Sequence, residues 1–149
     1  IEGAGVAPIV KSDEMMELFF EEPPARIAQA LRIEPIETKE RRQVLQAVFK
    51  EANLLAEAHN LLFSRTDEEY MSTPEWTALT IEGRDASVAI SEYLKNREWT
   101  YEELKTRYVT LIDTCNKCHV HFETDADEIL PWPEEEKAEE TAKVAPPAQ

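Results

Sequence analysis

Cys115-Asn116-Lys117-Cys118-His119 is the run in this chain whose residue types and spacing can do chemistry together. Two thiols three residues apart, followed at once by an imidazole, make a C-x-x-C-H motif, the attachment pattern of c-type haem. On a helix each thiol can form a thioether with one of the haem's two vinyl groups. His119, one turn beyond Cys115, can then place a ring nitrogen on the iron from the same side. A flat, mostly apolar haem also needs an apolar slot, and the seam of a helix bundle supplies one.

Other chemistries fit these residues less well. A disulfide between positions three apart on a helix is strained and leaves His119 without a role. Zinc accepts all four of Cys115, Cys118, His119 and His121, but on one helix the two histidines lie about 200° apart and cannot readily meet at one ion. A thioredoxin-like redox pair needs a βαβ setting, which the sequence does not offer. No Ser/His/Asp arrangement, paired-carboxylate motif or phosphate loop is present, so an enzyme is not expected.

Four helical patterns surround the motif. Ser12 is placed to cap the first, in which Met16, Phe20, Pro23, Ile27 and Leu31 form a stripe of threes and fours. Pro23-Pro24 must kink or split that segment. The second pattern runs from about Thr38 to Arg65, with Val44 or Leu45, Val48, Ala52, Leu55, His59 and Leu62 inward. The third opens at Thr73-Pro74, a cap followed by proline, and passes through Trp76, Leu79, Gly83, Ala86, Ile90 and Leu94. A glycine inside a helix costs about 1 kcal/mol, so Gly83 marks either a close approach or a tolerated loss. The fourth opens on Thr100 and Glu103, a capping box. Tyr101, Leu104, Tyr108, Leu111, Cys115, Cys118 and Phe122 then repeat at threes and fours. Short connections favour antiparallel neighbours. The expected fold is therefore all-α: an antiparallel up-down four-helix bundle with a haem near the C-terminal end of its last helix.

Composition fixes what surrounds that bundle. The 149 residues carry 31 acids against 16 Lys and Arg, a net charge of −15. Such a chain repels phosphate, which argues against nucleic acid and anionic membranes as partners. No apolar run approaches the roughly 18–20 residues of a transmembrane helix. Residues 123–149 hold nine acids and two bases, and so supply −7 of the charge. Beyond Trp132 the composition is too polar to offset the entropy of folding. The organisation expected is a loose lead-in over 1–11, a helical domain over 12–124 and an acidic tail over 125–149.

With Met16 in the first helix, Leu55-Ala56-Glu57-Ala58-His59-Asn60-Leu61-Leu62 in the second and Cys115-Asn116-Lys117-Cys118-His119 in the fourth, the sequence resembles the class II c-type cytochromes, the cytochromes c′ and their low-spin relatives. The resemblance spans roughly Asp13 to Glu123; the double proline departs from the family pattern. It implies one covalently attached haem c, held by Cys115 and Cys118 with His119 as proximal iron ligand. In that family the first helix supplies the distal residue. Methionine there makes a six-coordinate electron carrier, and an aliphatic residue makes a five-coordinate iron open to nitric oxide or carbon monoxide. Met16 lies on the apolar stripe and is the preferred distal ligand. Met15 shares a more mixed face with Phe19, Glu22 and Arg26, and His59 is the rival on the second helix. Met71, in the Glu68–Pro74 loop, is expected away from the iron, and His121 at the surface. Phe20, Trp76, Tyr108 and Phe122 are candidate haem walls, and Arg26, Arg65 and Arg107 candidate propionate partners.

The resemblance therefore implies a periplasmic mono-haem electron carrier, exported with its signal peptide removed. A redox partner would meet it through a basic surface, and a homodimer is open to it, as in many members of the family. The alternatives are five-coordinate gas binding of the cytochrome c′ kind, and a structural bundle with a zinc-bound Cys/His cluster.

Overall fold

A computed structural model describes residues 10–96 and 98–132; the lead-in up to residue 9 and the acidic stretch 133–149 lie outside the described residues. Among the described residues the chain is all-helical. A short α1 (Ser12–Met15) runs into a π-helical turn (Met16–Phe20), and α2 follows (Glu22–Ala30). Then come α3 (Thr38–Phe63), a 3-10 turn (Glu69–Ser72), α4 (Pro74–Leu94) and α5 (Tyr101–His121). The helices pack against one another, α3 on α4, α4 on α5 and α2 on α3. No described helix is long and apolar enough to cross a membrane.

The caps follow local chemistry. Glu37 and Glu40 form a reciprocal capping box at the start of α3. Thr73 accepts from Trp76 N, and Thr100 accepts from Glu103 N, so both threonines expected as caps act as caps. The first helical segment differs from its sequence reading. Lys11, not Ser12, occupies the N-cap position, and Ser12 instead donates from both its backbone N and its Oγ to Asp67. The break falls at Glu21, so Pro23 and Pro24 sit in the first turn of a new helix, where missing N–H groups cost nothing.

One apolar cluster joins Ile27 and Leu31 of α2, Val48 and Leu55 of α3, Ile90 of α4, and Leu104, Tyr108 and Leu111 of α5. Two tyrosine hydroxyls tie α2 to α5: Tyr101 donates to Leu31 O at 2.5 Å, and Tyr108 donates to Pro24 O at 3.3 Å. A second cluster of Met15, Leu62, Met71 and Trp76 sits beside it. Trp76 Nε1 donates to Leu62 O at 3.1 Å, a carbonyl that also accepts from Arg65 N at the end of α3.

After α5 the chain reverses at Glu123, whose φ of 51° lies in the left-handed region. The following segment lies back along α5. Asn116 clasps the Ile129 backbone from both sides, Nδ2 donating to Ile129 O and Oδ1 accepting from Ile129 N, each at 2.8 Å. Tyr108 also donates to Pro131 O at 3.1 Å, and Trp132 stands against its ring. Part of what the composition assigns to the tail thus packs on the helix that carries the motif.

Candidate functional site

The three-and-four spacing on α5 turns Cys115, Cys118 and His119 toward one cavity of about 570 Å³, within the range of small-molecule and cofactor sites. The helix supplies one wall and the strap after it another, through Ala126 and Ile129. Met16 and Phe20 come from the π turn, His59 and Leu62 from α3, Tyr70 and Met71 from the 3-10 turn, and Trp76, Thr80 and Gly83 from α4.

The two methionines of the first segment part company here. Met15 is buried in the second core cluster against Leu62, Met71 and Trp76, not on a mixed surface as its neighbours in sequence suggest. Met16 lines the cavity. The wide π turn that begins at Met16 shifts the register between the two helical pieces; such turns recur at functional sites. Met71, expected away from the motif, is buried in the wall of the same cavity, its sulfur accepting from Ser12 Oγ at 3.5 Å.

His59 lines the cavity while nearly fully buried. Its Nδ1 lies 2.7 Å from Leu55 O, and since a carbonyl only accepts, Nδ1 carries the proton. Burial lowers its pKa below the ordinary histidine value, against the opposing pull of that bond, so the ring is neutral near pH 7. The ring stands edge-on to Phe20 at 5.0 Å. It rests on Gly83, where a Cβ would lie 2.4 Å from Nε2. The close approach that a mid-helix glycine suggests is therefore the approach of His59.

Burial pushes the Cys115 thiol up to about 12, with the neighbouring Cys118 adding to the effect, and the Cys118 thiol up to about 11. Both are unpaired, neutral thiols. A reactive cysteine nucleophile needs the opposite shift, toward thiolate. Burial also lowers the pKa of His119, and its Nδ1 is buried without a partner. Among the described residues no three of His, Cys, Asp and Glu converge as a metal-binding group.

Of the aromatic candidates, Phe20, Trp76 and Phe122 line the cavity. Tyr108 does not; it belongs to the main core, and Tyr70 takes its place, stacked on Phe122 at 4.9 Å. None of the arginine candidates lines the cavity. Arg26 pairs with Glu22 and Glu51, Arg107 pairs with Glu103, and Arg65 is buried against Ser12, Asp67 and the Val10 carbonyl. That last network pins the segment bearing Met16 to the end of α3. His121 is exposed, as expected.

The residues present fit a haem. Phe20, Leu62, Trp76, Leu79, Phe122 and Ile129 give the cavity an apolar face that both thiols and His119 share, two buried polar atoms, His119 Nδ1 and Thr80 Oγ1, lack partners, and five carboxylates, Asp13, Glu21, Asp67, Glu68 and Asp127, also line it. Sequence reasoning missed Tyr70, Met71, Thr80 and the strap, whose positions follow from tertiary docking and not from any local pattern. No protein family, curated protein or solved structure matches the chain.

Proposed function

We propose that the chain is a mono-haem c-type cytochrome that carries electrons and catalyses no reaction of its own. One observation carries this reading: Cys115, Cys118 and His119 share a cavity of about 570 Å³ with Met16. Cys115 and Cys118 would hold the haem through thioethers, His119 would be the proximal ligand and Met16 the distal one. When bound, the haem supplies a one-electron Fe(III)/Fe(II) couple. The chain's own part is to exclude water with Phe20, Trp76 and Phe122 and to fix Met16 through the Ser12–Asp67–Arg65 network.

The same reading takes the helices as an antiparallel up-down bundle. It is supported by pairs that join the end of one helix to the start of the next, Leu62 with Trp76 and Tyr93 with Thr100, and by the Lys117–Glu82 ion pair at 3.0 Å between α5 and α4. Covalent haem attachment takes place outside the cytoplasmic membrane, so the protein would be exported, and periplasmic in a bacterium. Its net charge of −15 favours a redox partner with a basic docking surface. The zinc alternative is supported less, because among the described residues no three of His, Cys, Asp and Glu converge as a metal-binding group.

Optical spectra of the Met16→Leu holoprotein test the assignment. The parent ferric protein should show the weak near-infrared methionine–iron charge-transfer band and bind carbon monoxide slowly when reduced. The variant should lose the band and take up carbon monoxide readily. Identical spectra for the two proteins would refute Met16 as ligand, and a high-spin parent that takes up carbon monoxide readily would favour the gas-binding alternative.

A further inference from the structure

His59 and Thr80 stand out on the cavity wall because neither is used by the proposed haem attachment and both present unmet hydrogen-bonding capacity. The Leu55 carbonyl fixes the proton of His59 on Nδ1, which leaves Nε2 as a lone-pair acceptor. No other described group donates to that nitrogen. Gly83 exists in α4 at the one place where a side chain would displace the ring, its Cβ falling 2.4 Å from Nε2. Thr80 lies one turn before Gly83 on the same helix face, with neighbouring Cβ positions about 5–6 Å apart at that spacing. It is 3 % exposed, and its Oγ1 is buried with no partner. Leaving the buried Thr80 hydroxyl unpaired is costly unless a bound molecule meets it. His59 and Thr80 line the same cavity, and a small molecule there can give a proton to Nε2 and meet Oγ1.

We propose that His59 and Thr80 form a hydrogen-bonding subsite of the cavity for small neutral ligands that bear an N–H or O–H group. His59 Nε2 accepts the ligand's proton, Thr80 Oγ1 makes the second contact, and Gly83 is the positioning residue that lets the ring reach its place. The inference rests on reading the cavity as a haem site, since haem absorption reports the binding.

Imidazole and 1-methylimidazole separate the possibilities, because they differ in the N–H that the subsite should recognise. Both are titrated into ferric Met16→Leu holoprotein, which frees the distal position, and the ratio of their affinities is compared across variants. One net hydrogen bond corresponds to roughly a three- to ten-fold preference. We expect His59→Phe to shift the ratio by that amount toward 1-methylimidazole, and Gly83→Ala to do the same while keeping the imidazole side chain. An unchanged ratio in His59→Phe and Gly83→Ala overturns the inference while leaving the proposed function standing. So does a His59→Phe protein whose ligand-free spectrum already differs, which would place His59 on the iron. A protein with no haem absorption overturns the proposed function and this inference with it.

Discussion

Replacing Gly83 with alanine builds a Cβ 2.4 Å from His59 Nε2 and 2.7 Å from its Cδ2. Carbon atoms pack best at about 3.5–4.0 Å, so the ring has to retreat by about 1 Å. Behind it stands Phe20, edge-on at 5.0 Å, and the 2.7 Å bond from Nδ1 to Leu55 O holds it in place. Overpacking of this kind costs about 1–3 kcal/mol, and a weakened hydrogen bond adds about 1 kcal/mol. Alanine returns about 1 kcal/mol through its better helix propensity. The net expectation is a loss of about 1–3 kcal/mol, or a fall in Tm of roughly 2–12 °C for a chain of this length. Urea denaturation of Gly83→Ala, His59→Ala and the double variant reads the effect as a cycle. With His59 shortened, the new methyl group meets no ring, and the same substitution should become neutral or stabilising by up to about 1 kcal/mol. If Gly83→Ala costs the same in both backgrounds, or costs nothing in the parent, the claim that the glycine makes room for His59 is wrong.

Two further perturbations address how the cavity is held together. Asn116→Ala removes both 2.8 Å bonds to the Ile129 backbone and should cost about 1–3 kcal/mol; hydrogen exchange should quicken at the Ile129 amide while the α3 core stays protected. Burial alone would raise the Asp67 pKa, but hydrogen bonds from Ser12 and the nearby Arg65 outweigh it and bring the carboxyl to about 2. A folded pKa below the unfolded value stabilises the protein above about pH 4 and loses that contribution as pH falls through 2. Asp67→Asn should therefore lower stability at neutral pH and flatten its decline between about pH 4 and 2; parallel acid-unfolding curves for the two proteins would contradict this.

Much of the architecture was readable because it is local. The α5 seam of Tyr101, Leu104, Tyr108 and Leu111 is buried as its spacing requires, and the Thr73 and Thr100 caps follow from side-chain chemistry that acts within one turn. The α3 stripe of Val48, Ala52, Leu55, His59 and Leu62 is likewise buried. The sequence reading put the break of the first segment at Pro23-Pro24, because proline is the breaker that a local pattern shows. The register shift falls earlier, in the π turn at Met16–Phe20, and Met15 just before it lies in the core. What holds this segment lies far away in sequence: Ser12 meets Asp67, 55 residues on. Met71 reaches the cavity and the 124–132 strap returns to α5 by the same kind of distant docking, which no periodicity encodes. The cysteines and His119 were legible as a motif, and Met16 as a candidate. That they line one cavity could only come from the packing.

The central claim is that Cys115 and Cys118 bind a haem covalently. Intact-mass spectrometry of the full chain, produced in a periplasm with haem-attachment machinery, reads this directly. The account predicts the mass of the chain plus one haem, a chromophore that acidified acetone does not extract, and no thiol left to alkylate. A colourless protein at the bare chain mass, with both thiols open to alkylation after denaturation, would contradict it.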